Sequence, residues 1–531
     1  MPAGLLDSQV APAIKLLTFD HTPSVREAYY QALAHWLGCS TLQQQGAAAD
    51  GSAAAAAAVA HARCRTYAPV LLPLLLLGIS DPQESIAAAT LRAVEHAGEA
   101  WQLQPAAAAL AAAAAGSSGS TDVTPMETDV PADASAPPAA TSASVSSSST
   151  PAADSLQVSA AAITAANLPP PYHGLPSNAC RQMVATLLPQ LLPLVLSGLR
   201  EWTVSLRSAA ARLLHTSLVL SGPAVTPYLA QLLPGLVSAM SDDDNDVIKL
   251  LASSCRLVGA FVPASAWLPL LVDAVSDPKS GPASKANALV VLSCLTHAAA
   301  AAGQQASDPQ LLQVLVRALA SEEVLGCDHA GMQTQLLIVV ENLLAWMPPA
   351  TVSDVRQELY LILLQLHGAA SAAAAAAGSN ATAAAAAPGQ PADSSSGQVG
   401  RALSVMQRLA ESTGLPGGIN QLAQAHAQQL LSPLTSDVGK WGSGSQHLLT
   451  FTSLLQTAGA GCLSELLPQV AQVCEWLHSL HLAAFRVCCG SIHRRIVVWR
   501  RPGWYSRTHS STTQRSCTAW HSTSHVAYSS A

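Results

Sequence analysis

The sequence has few aromatic and few charged residues. Phe, Trp and Tyr make up 4% of the 531 residues and charged residues 11%, whereas apolar residues make up 50%. A core must therefore be built mainly from Leu, Val and Ala, which suits helix-on-helix packing better than an aromatic-rich β-sandwich. The formal net charge of −7 is small for this length, and the chain as a whole lacks the positive potential that attracts nucleic acid. These shortages predict an all-α protein that does not bind phosphate backbones as a whole.

Signals for secretion or membrane insertion are also lacking. The N-terminus has neither the basic flank nor the apolar core of a signal peptide, and the longest apolar run, 67–79, is short and interrupted by proline. The 11 cysteines include no CxxC pair and no ligand spacing with histidine. This usage is typical of reduced thiols in the cytoplasm. We therefore expect a soluble, cytoplasmic protein.

Signatures of catalysis and of metal or cofactor binding are missing as well. There is no GxSxG, HExxH or dinucleotide fingerprint. Asp242, Asp244 and Asp246 alternate as in a calcium loop, but valine stands where that loop needs glycine, so an acidic inter-helix turn is favoured. His478 and His481 lie one helical turn apart without a third ligand. The sequence predicts no enzyme activity, no cofactor and no metal site.

What the sequence does contain is a recurring proline. Five prolines within helical patterns are each followed, eight residues later, by an acidic residue. The pairs are Pro12 and Asp20, Pro73 and Asp81, Pro193 and Glu201, Pro234 and Asp242, and Pro269 and Asp277. A proline inside a helix destabilises that helix by roughly 3 kcal/mol. Its recurrence at a constant distance before an acidic residue therefore indicates a repeated structural unit. The spacings of 41 and 35 residues between the last three prolines are typical of two-helix solenoid repeats.

Each predicted repeat consists of a helix A that holds the proline, a short acidic turn and a helix B. Arg26 and Arg207 stand six residues after their acids, and Lys249 stands seven residues after Asp242. We expect Arg26 and Arg207 to reach acidic turn residues of an adjacent repeat, which would form a ladder of charge-assisted bonds along the stack. Direct binding of a partner by these cations is the alternative.

The turns carry signals for the start of helix B. Asp81 is expected to cap the next helix, with Pro82 at its first position and Glu84 completing a capping box. Thr22 and Pro23 are expected to do the same in the first repeat.

Low-complexity segments interrupt the repeats. Such segments cannot bury a specific face, so we expect them to be disordered or to form alanine helices without a partner. The predicted order is N-terminal repeats at 1–101 with an insert at 41–60, an insert at 102–178, central repeats at 179–367, an insert at 368–398, C-terminal repeats at 399–486 and a basic tail at 487–531. Ser and Thr beside acids at 118–131 suggest either phosphorylation or plain linker, and linker is favoured.

The tail at 487–531 differs sharply in composition from the rest of the chain. It contains six arginines and three tryptophans but no Asp or Glu. Basic residues interleaved with aromatics suit nucleic acid or an anionic membrane. The abrupt change where a B helix should continue favours a translated intron or a shifted reading frame instead.

Proline in helix A, an acidic turn and an apolar-Arg pair in helix B together form the pattern of HEAT repeats. Beyond that pattern, four segments resemble HEAT-repeat dynein axonemal assembly factors. They are 23-PSVREAYYQALAHWLG-38, 199-LREWTVSLRSAAARLL-214, 255-CRLVGAFVPASAWLPLLVDAV-275 and 289-LVVLSCL-295. The likeness covers roughly 20–100 and 180–365, with a weaker trace at 437–486.

This resemblance implies a right-handed α-solenoid of HEAT or armadillo-type repeats. It further implies a non-enzymatic cytoplasmic scaffold that assists preassembly of ciliary dynein arms. Its partners would be axonemal dynein chains and chaperones, with neither nucleic acid nor membrane. A general HEAT-repeat scaffold of the transport-receptor or phosphatase type is the alternative.

Overall fold

The computed structural model describes most of the predicted repeats. The described residues are 6–39, 52–102, 168, 171–172, 174–306, 308–327, 329–381, 394–436, 441, 445–459, 462 and 473. They belong to two compact units, Met1–Leu359 and Tyr360–Ala531. The predicted tail at 487–531, His478 and His481 lie outside the described residues, as does most of the insert at 102–178.

In the first unit, helices A and B alternate as the sequence predicts. The first A helix is irregular and joins a π-helical turn (Leu6–Val10), a short α1 (Ala11–Ile14) and a 3-10 segment (Lys15–Phe19). The helices that follow are α2 (Pro23–Trp36), α3 (Ser52–Gly78), α4 (Glu84–Gln102), α5 (Asn178–Gly198), α6 (Val204–Ser221), α7 (Leu229–Ala239), α8 (Asn245–Phe261), α9 (Ala264–Ser276), α10 (Pro282–Ala301), α11 (Pro309–Leu319), α12 (Glu322–Leu325), α13 (Ala330–Trp346) and α14 (Pro349–Asp354). A 3-10 segment, Gly222–Tyr228, precedes α7. Every regular element in the described residues is helical.

The recurring prolines lie near the C-terminal ends of the A helices. Pro73, Pro193 and Pro234 each stand five residues before the last residue of α3, α5 and α7, and Pro269 stands seven before the end of α9. Pro12 differs, because it lies in the first turn of α1. A proline removes the hydrogen bond to the carbonyl four residues earlier, so it weakens each helix close to where the acidic turn begins.

The core of the first unit lies between stacked repeats. Helix α8 packs against α6 on one side and α10 on the other, and α10 packs against α13. On α8 the buried residues Val247, Leu251, Cys255 and Val258 recur at helical spacing. From α6 to α13, neighbouring B helices thus cover each other's apolar stripes. This stacking confirms the predicted α-solenoid.

Tryptophan and glutamine side chains join the fourth, fifth and sixth repeats. The fully buried indole of Trp267 stacks on Trp346, with ring centroids 5.7 Å apart. Trp346 donates its Nε1–H to the carbonyl of Gln304 at 2.7 Å, and Gln304 donates from Nε2 to the carbonyl of Ala260 at 2.8 Å. These bonds satisfy backbone groups at helix ends that would otherwise lack partners.

The junction between the second and third repeats is stacked differently from those after it. Here the B helix α4 packs mainly on the A helix α5, and α3 packs on α6. A Cβ on Gly98 would lie 2.4 Å from the backbone N of Cys180, so only glycine permits this approach. Ser80 and Thr216 add a hydrogen bond of 3.1 Å between their hydroxyls. The change of stacking coincides with the predicted insert at 102–178.

Two alanine-rich segments assigned to inserts are partly helical. Helix α3 begins at Ser52, inside the predicted insert at 41–60, and α15 (Arg356–Ala381) extends into the predicted insert at 368–398. Alanine has the highest helix propensity, so these tracts extend existing helices. The expectation of an alanine helix without a partner is wrong at Gly368 and Ala370, which are both buried.

The second unit contains the remainder of α15, α16 (Ser394–Ser412), α17 (Gly418–Ser436) and α18 (Gln446–Thr457). A Cβ on Gly368 would lie 2.5 Å from the carbonyl oxygen of Leu449, so α18 approaches α15 closely. His367 is buried and its Nδ1 lies 2.8 Å from the hydroxyl of Ser453. Burial lowers the pKa of His367, which favours the neutral imidazole in this bond.

The predicted capping box at Asp81 is wrong. Helix α4 begins at Glu84, and the carboxylate of Asp81 accepts the N–H of Gln83 at 2.9 Å and two bonds from Arg26. The carboxylate of Asp81 thus binds the turn before the helix, as those of Asp20 and Asp277 do, and does not cap the helix. In the first repeat Thr22 does occupy the N-cap and Pro23 the first turn, but the Thr22 side chain makes no capping bond.

Two helices are long and apolar enough to cross a membrane by length and composition. They are Asn178–Gly198 and the part Arg356–Ala375 of α15, and half of each apolar window is buried inside the protein. Buried core helices of soluble proteins have the same properties.

The α8–α10 contact predicts a strong effect of a single methyl group. A Cβ on Gly259 would lie 2.4 Å from the carbonyl oxygen of Leu295. We expect Gly259→Ala to destabilise the first unit by about 1–3 kcal/mol in urea unfolding, because neighbouring backbone must move. Gly400→Ala is the control, since nothing lies within 4 Å of that site in α16 and alanine favours a helix. Equal effects of the two substitutions would contradict this reading.

Candidate functional site: a ladder of ion pairs along the inter-helix turns

The first rung of the ladder joins the first and second repeats. Arg26 on α2 donates from Nε to Asp81 Oδ2 at 2.7 Å and from Nη2 to Asp81 Oδ1 at 3.0 Å. Its Nη1 donates to the backbone carbonyl of Asp20 at 2.7 Å. The Asp81 side chain is only 2% exposed. One guanidinium therefore holds the turn of its own repeat and the acid of the next repeat together.

The second rung, between the third and fourth repeats, repeats this geometry. Arg207 on α6 donates from Nε to Asp242 Oδ2 at 2.7 Å and from Nη2 to Asp242 Oδ1 at 3.1 Å. Its Nη1 donates to the carbonyls of Glu201 and Trp202 at 3.2 and 2.9 Å, and Nη2 also contacts Asp243. The expected contact of each arginine with an acid of the adjacent repeat is thus present in both places.

A third rung was not predicted from the sequence. Lys285 on α10, 5% exposed as a residue, donates from Nζ to Glu323 Oε2 at 2.7 Å and joins the fifth and sixth repeats. Arg26, Arg207 and Lys285 are each the fourth residue of their B helix. Lys285 stands eight residues after Asp277, whereas Arg26 and Arg207 stand six residues after their acids, because the turn after Asp277 is two residues longer than theirs. The spacing from the acid therefore does not reveal Lys285. Counting from the helix start would have revealed it.

Among the described residues of the junctions after the second and fourth repeats, no cation occupies the fourth position of helix B. Ala87 and Ile248 occupy the fourth position of α4 and α8. Lys249 lies one position further on, and its Nζ contacts Asp246 of its own helix at 2.8 Å while its side chain stays 75% exposed. Lys249 therefore does not bridge repeats, since one residue along a helix turns the side chain by about 100°.

The acids that open the turns share a second role. In four repeats the aspartate Oδ1 accepts the backbone N–H of the residue two positions later, at 2.7–2.9 Å. These aspartates are Asp20, Asp81, Asp242 and Asp277. Such a bond shapes the backbone into a turn before helix B. Glu201 is longer by one methylene, and no bond of this kind is found for it in the described part of its turn.

The alternating aspartates of the fourth turn have separate partners. Asp242 binds Arg207, Asp244 accepts the N–H groups of Asp246 and Val247 at the start of α8, and Asp246 pairs with Lys249. Among the residues described, no group of three or more His, Cys, Asp or Glu side chains is placed to hold a metal ion. The acidic turn predicted here is what the structure contains.

Charges in the ladder shift the pKa values of their partners. Burial alone would raise the pKa of Asp242, but the hydrogen bonds from Arg207 and from the Asp244 N–H outweigh it and lower that pKa. The bonds to Asp81 and Asp242 raise the pKa of Arg26 and Arg207. Arg26, Arg207 and Asp242 therefore remain charged throughout the physiological range.

Buried thiols line the repeats rather than a reactive site. Burial raises the pKa of Cys39, Cys64 and Cys180 to about 12. Cys255 is fully buried, and its pKa is also raised by burial. A thiol needs a lowered pKa to act as a nucleophile at neutral pH, so these four cysteines act as small apolar residues.

Paired helices that stack only through their neighbours, with cations and acids bridging the turns, define an α-solenoid of the HEAT-repeat type. Residues 167–370 match the family described as "Dynein axonemal assembly factor 5, HEAT-repeat domain". This match confirms, over that part of the chain, the resemblance predicted from the sequence.

Curated relatives carry the same name. Dynein axonemal assembly factor 5 of Mus musculus is 26% identical over 298 residues, which cover 55% of this chain and 31% of the mouse protein. The Homo sapiens protein is 26% identical over 301 residues, covering 57% and 31% of the two chains. The alignment thus spans about a third of the length of these relatives.

Solved structures similar to this chain include importin beta, at 11% identity and a TM-score of 0.27. That comparison covers 94% of this chain and 61% of importin beta. A karyopherin bound to the C-terminus of a protein phosphatase is 11% identical with a TM-score of 0.28, covering 92% and 50%. Similarity at these TM-scores carries no argument about function.

The first rung predicts an energetic coupling between two repeats. We expect Arg26→Gln and Asp81→Asn each to lower the free energy of unfolding by about 1–3 kcal/mol, because each leaves a largely buried partner unpaired. In the double variant the losses should overlap by about 1–2 kcal/mol. Urea unfolding of the four proteins measures this coupling. Lys249→Ala is the control and should leave stability unchanged, since its ion pair is exposed.

The second rung predicts a pH dependence. The pKa of Asp242 is lower in the folded than in the unfolded chain, so its stabilisation is full above the unfolded pKa of about 4 and is lost as pH falls through the folded value. We expect Asp242→Asn to be less stable than the unaltered protein at pH 7 and to approach it near pH 3. Ser241→Ala supplies a non-titrating control in urea unfolding at both pH values. A constant Asp242→Asn difference would refute the charged rung.

Proposed function

We propose that this chain is a non-enzymatic HEAT-repeat scaffold that assists the cytoplasmic preassembly of axonemal dynein arms. The observation that carries the proposal is the match of residues 167–370 to the HEAT-repeat domain of dynein axonemal assembly factor 5. Because the alignments span about a third of the relatives' length, the partners of the whole relatives are transferred here only as part of this proposal.

A role in holding proteins agrees with the architecture of the first unit. A stack of helical pairs presents a long surface whose backbone is fixed by the contacts between repeats. The ladder residues act, in this proposal, as structural positions that fix each repeat on the next. Partner choice then depends on side chains outside the ladder. The partners proposed are axonemal dynein chains and the chaperones that fold them.

A non-enzymatic role is supported by the chemistry of the buried groups. The thiols of Cys39, Cys64 and Cys180 have raised pKa values. Arg26, Arg207 and Lys249, whose pKa values are raised, form ion pairs with aspartates of the turns. Catalytic groups with perturbed pKa values usually lie together in a cleft, whereas these groups are spread along the turns between repeats.

Gene disruption in a ciliated cell that carries this gene tests the proposal. We expect axoneme cross-sections to lack dynein arms and the cells to lose motility, with rescue by the intact gene. Purification of the tagged chain from cytoplasm should also recover axonemal dynein heavy chains. Intact arms in the disrupted cells would refute the proposal. Recovery of only cargo receptors or phosphatase subunits would favour the alternative scaffold.

A further inference from the structure

The turn between α5 and α6 exposes a tryptophan. Trp202 is 86% exposed, more than any other large apolar side chain that the structure describes. The equivalent positions in the other turns, one residue after the acid, are His21, Pro82, Asp243 and Pro278. The repeat fold therefore does not require an aromatic residue here, and exposing one to water is unfavourable.

The backbone that carries this indole is held rigidly. The carbonyl of Trp202 accepts a hydrogen bond of 2.9 Å from Arg207, and the same guanidinium binds Asp242 in the next repeat. Val204, two residues further on, is 40% exposed. With its backbone held, a tryptophan has only two side-chain torsions left to order on binding, and tryptophan is common among residues that dominate interfaces.

A groove opens beside this turn, between α5 and α7. Its volume is about 330 Å³, and its lining includes the apolar side chains of Leu196, Leu199 and Ala239. Three carboxylates and two guanidinium groups line it as well: Glu201, Asp242, Asp243, Arg200 and Arg207. A partner can therefore bury an aliphatic side chain next to carboxylates.

The charge around the groove is negative. Five carboxylates surround it or the neighbouring start of α8, and only three cations accompany them. The acids are Glu201, Asp242, Asp243, Asp244 and Asp246, and the cations are Arg200, Arg207 and Lys249. Asp243 is 84% exposed at its side chain even while it contacts Arg207. Glu201 is exposed too, and the described residues supply no cation within ion-pair distance of it.

We propose that Trp202 and the adjacent groove form a docking site for a basic segment of a partner protein. An arginine of that segment stacks on the exposed face of Trp202 and pairs with Glu201 or Asp243. An aliphatic neighbour in the segment enters the groove. A second copy of the chain fits poorly, because a two-fold contact would bring the same acids face to face.

The proposal goes beyond the scaffold function, since it specifies the chemistry of a partner's segment and not its identity. A binding experiment with the full chain tests it. The probe is a fluorescein-labelled peptide of alternating arginine and leucine, followed by fluorescence anisotropy. We expect saturable binding that Trp202→Ala weakens about fivefold to tenfold, in keeping with loss of a cation–π contact. Glu201→Lys should weaken it further.

Matched probes and a control variant make the result specific. A peptide with glutamate in place of arginine should not bind, and one with lysine should bind more weakly, because lysine stacks less well. Trp36→Ala is the control, since Trp36 is an exposed tryptophan on α2 in the first repeat, away from the turn between α5 and α6. It should bind the arginine peptide as the unaltered chain does.

Three outcomes would overturn the proposal. They are absence of binding, equal binding by the Trp202→Ala variant, and equal binding of the glutamate peptide. Tighter binding after removal of residues 487–531 would assign the site to the chain's own basic segment, and so would also overturn a partner as its occupant. Loss of dynein arms on gene disruption is independent of all these results, so failure of this proposal and failure of the proposed function can be told apart.

Discussion

Every helical pair in the first unit has apolar stripes that only the neighbouring pairs can cover. The stripe of Val247, Leu251 and Val258 on α8 is buried because α6 and α10 pack on either side. A single pair could not bury both faces, so stability arises at the junctions and extends from each pair to the next. The remaining features of the fold determine how each junction is aligned.

The junctions are aligned in two different ways. Ion pairs centred on Arg26, Arg207 and Lys285 join the first repeat to the second, the third to the fourth and the fifth to the sixth. At the two junctions between these, Gly98 and Gly259 let neighbouring backbones approach instead. Apolar stripes alone tolerate sliding, whereas a bidentate ion pair or a backbone contact at a glycine fits only one register. We interpret both devices as fixing register more than adding stability.

The sequence predicted the fold from local signals and failed where a distant group intervened. Proline followed by an acid located helix ends and turns, because those signals act within one turn of the chain. The capping box at Asp81 failed because that carboxylate binds the turn at Gln83 and also Arg26, 55 residues away, instead of the first turn of α4. Lys285 was missed because a longer turn displaced it relative to Asp277. Nor could the sequence have revealed the exposure of Trp202, since it depends on how α5, α6 and α7 are placed around the turn.

Arg207 connects the internal alignment of the stack to its surface. It binds the carbonyl of Trp202 in the third repeat and the carboxylates of Asp242 and Asp243 in the fourth. A cation that pairs with Asp243 competes with one contact of Arg207 but leaves the two bonds to Asp242 in place. Because those bonds are largely buried and Asp243 is exposed, the junction can keep its register while the outer carboxylate turns to a partner. The turn can therefore stay fixed through the buried bonds between Arg207 and Asp242 while Asp243 is free to bind a partner's cation.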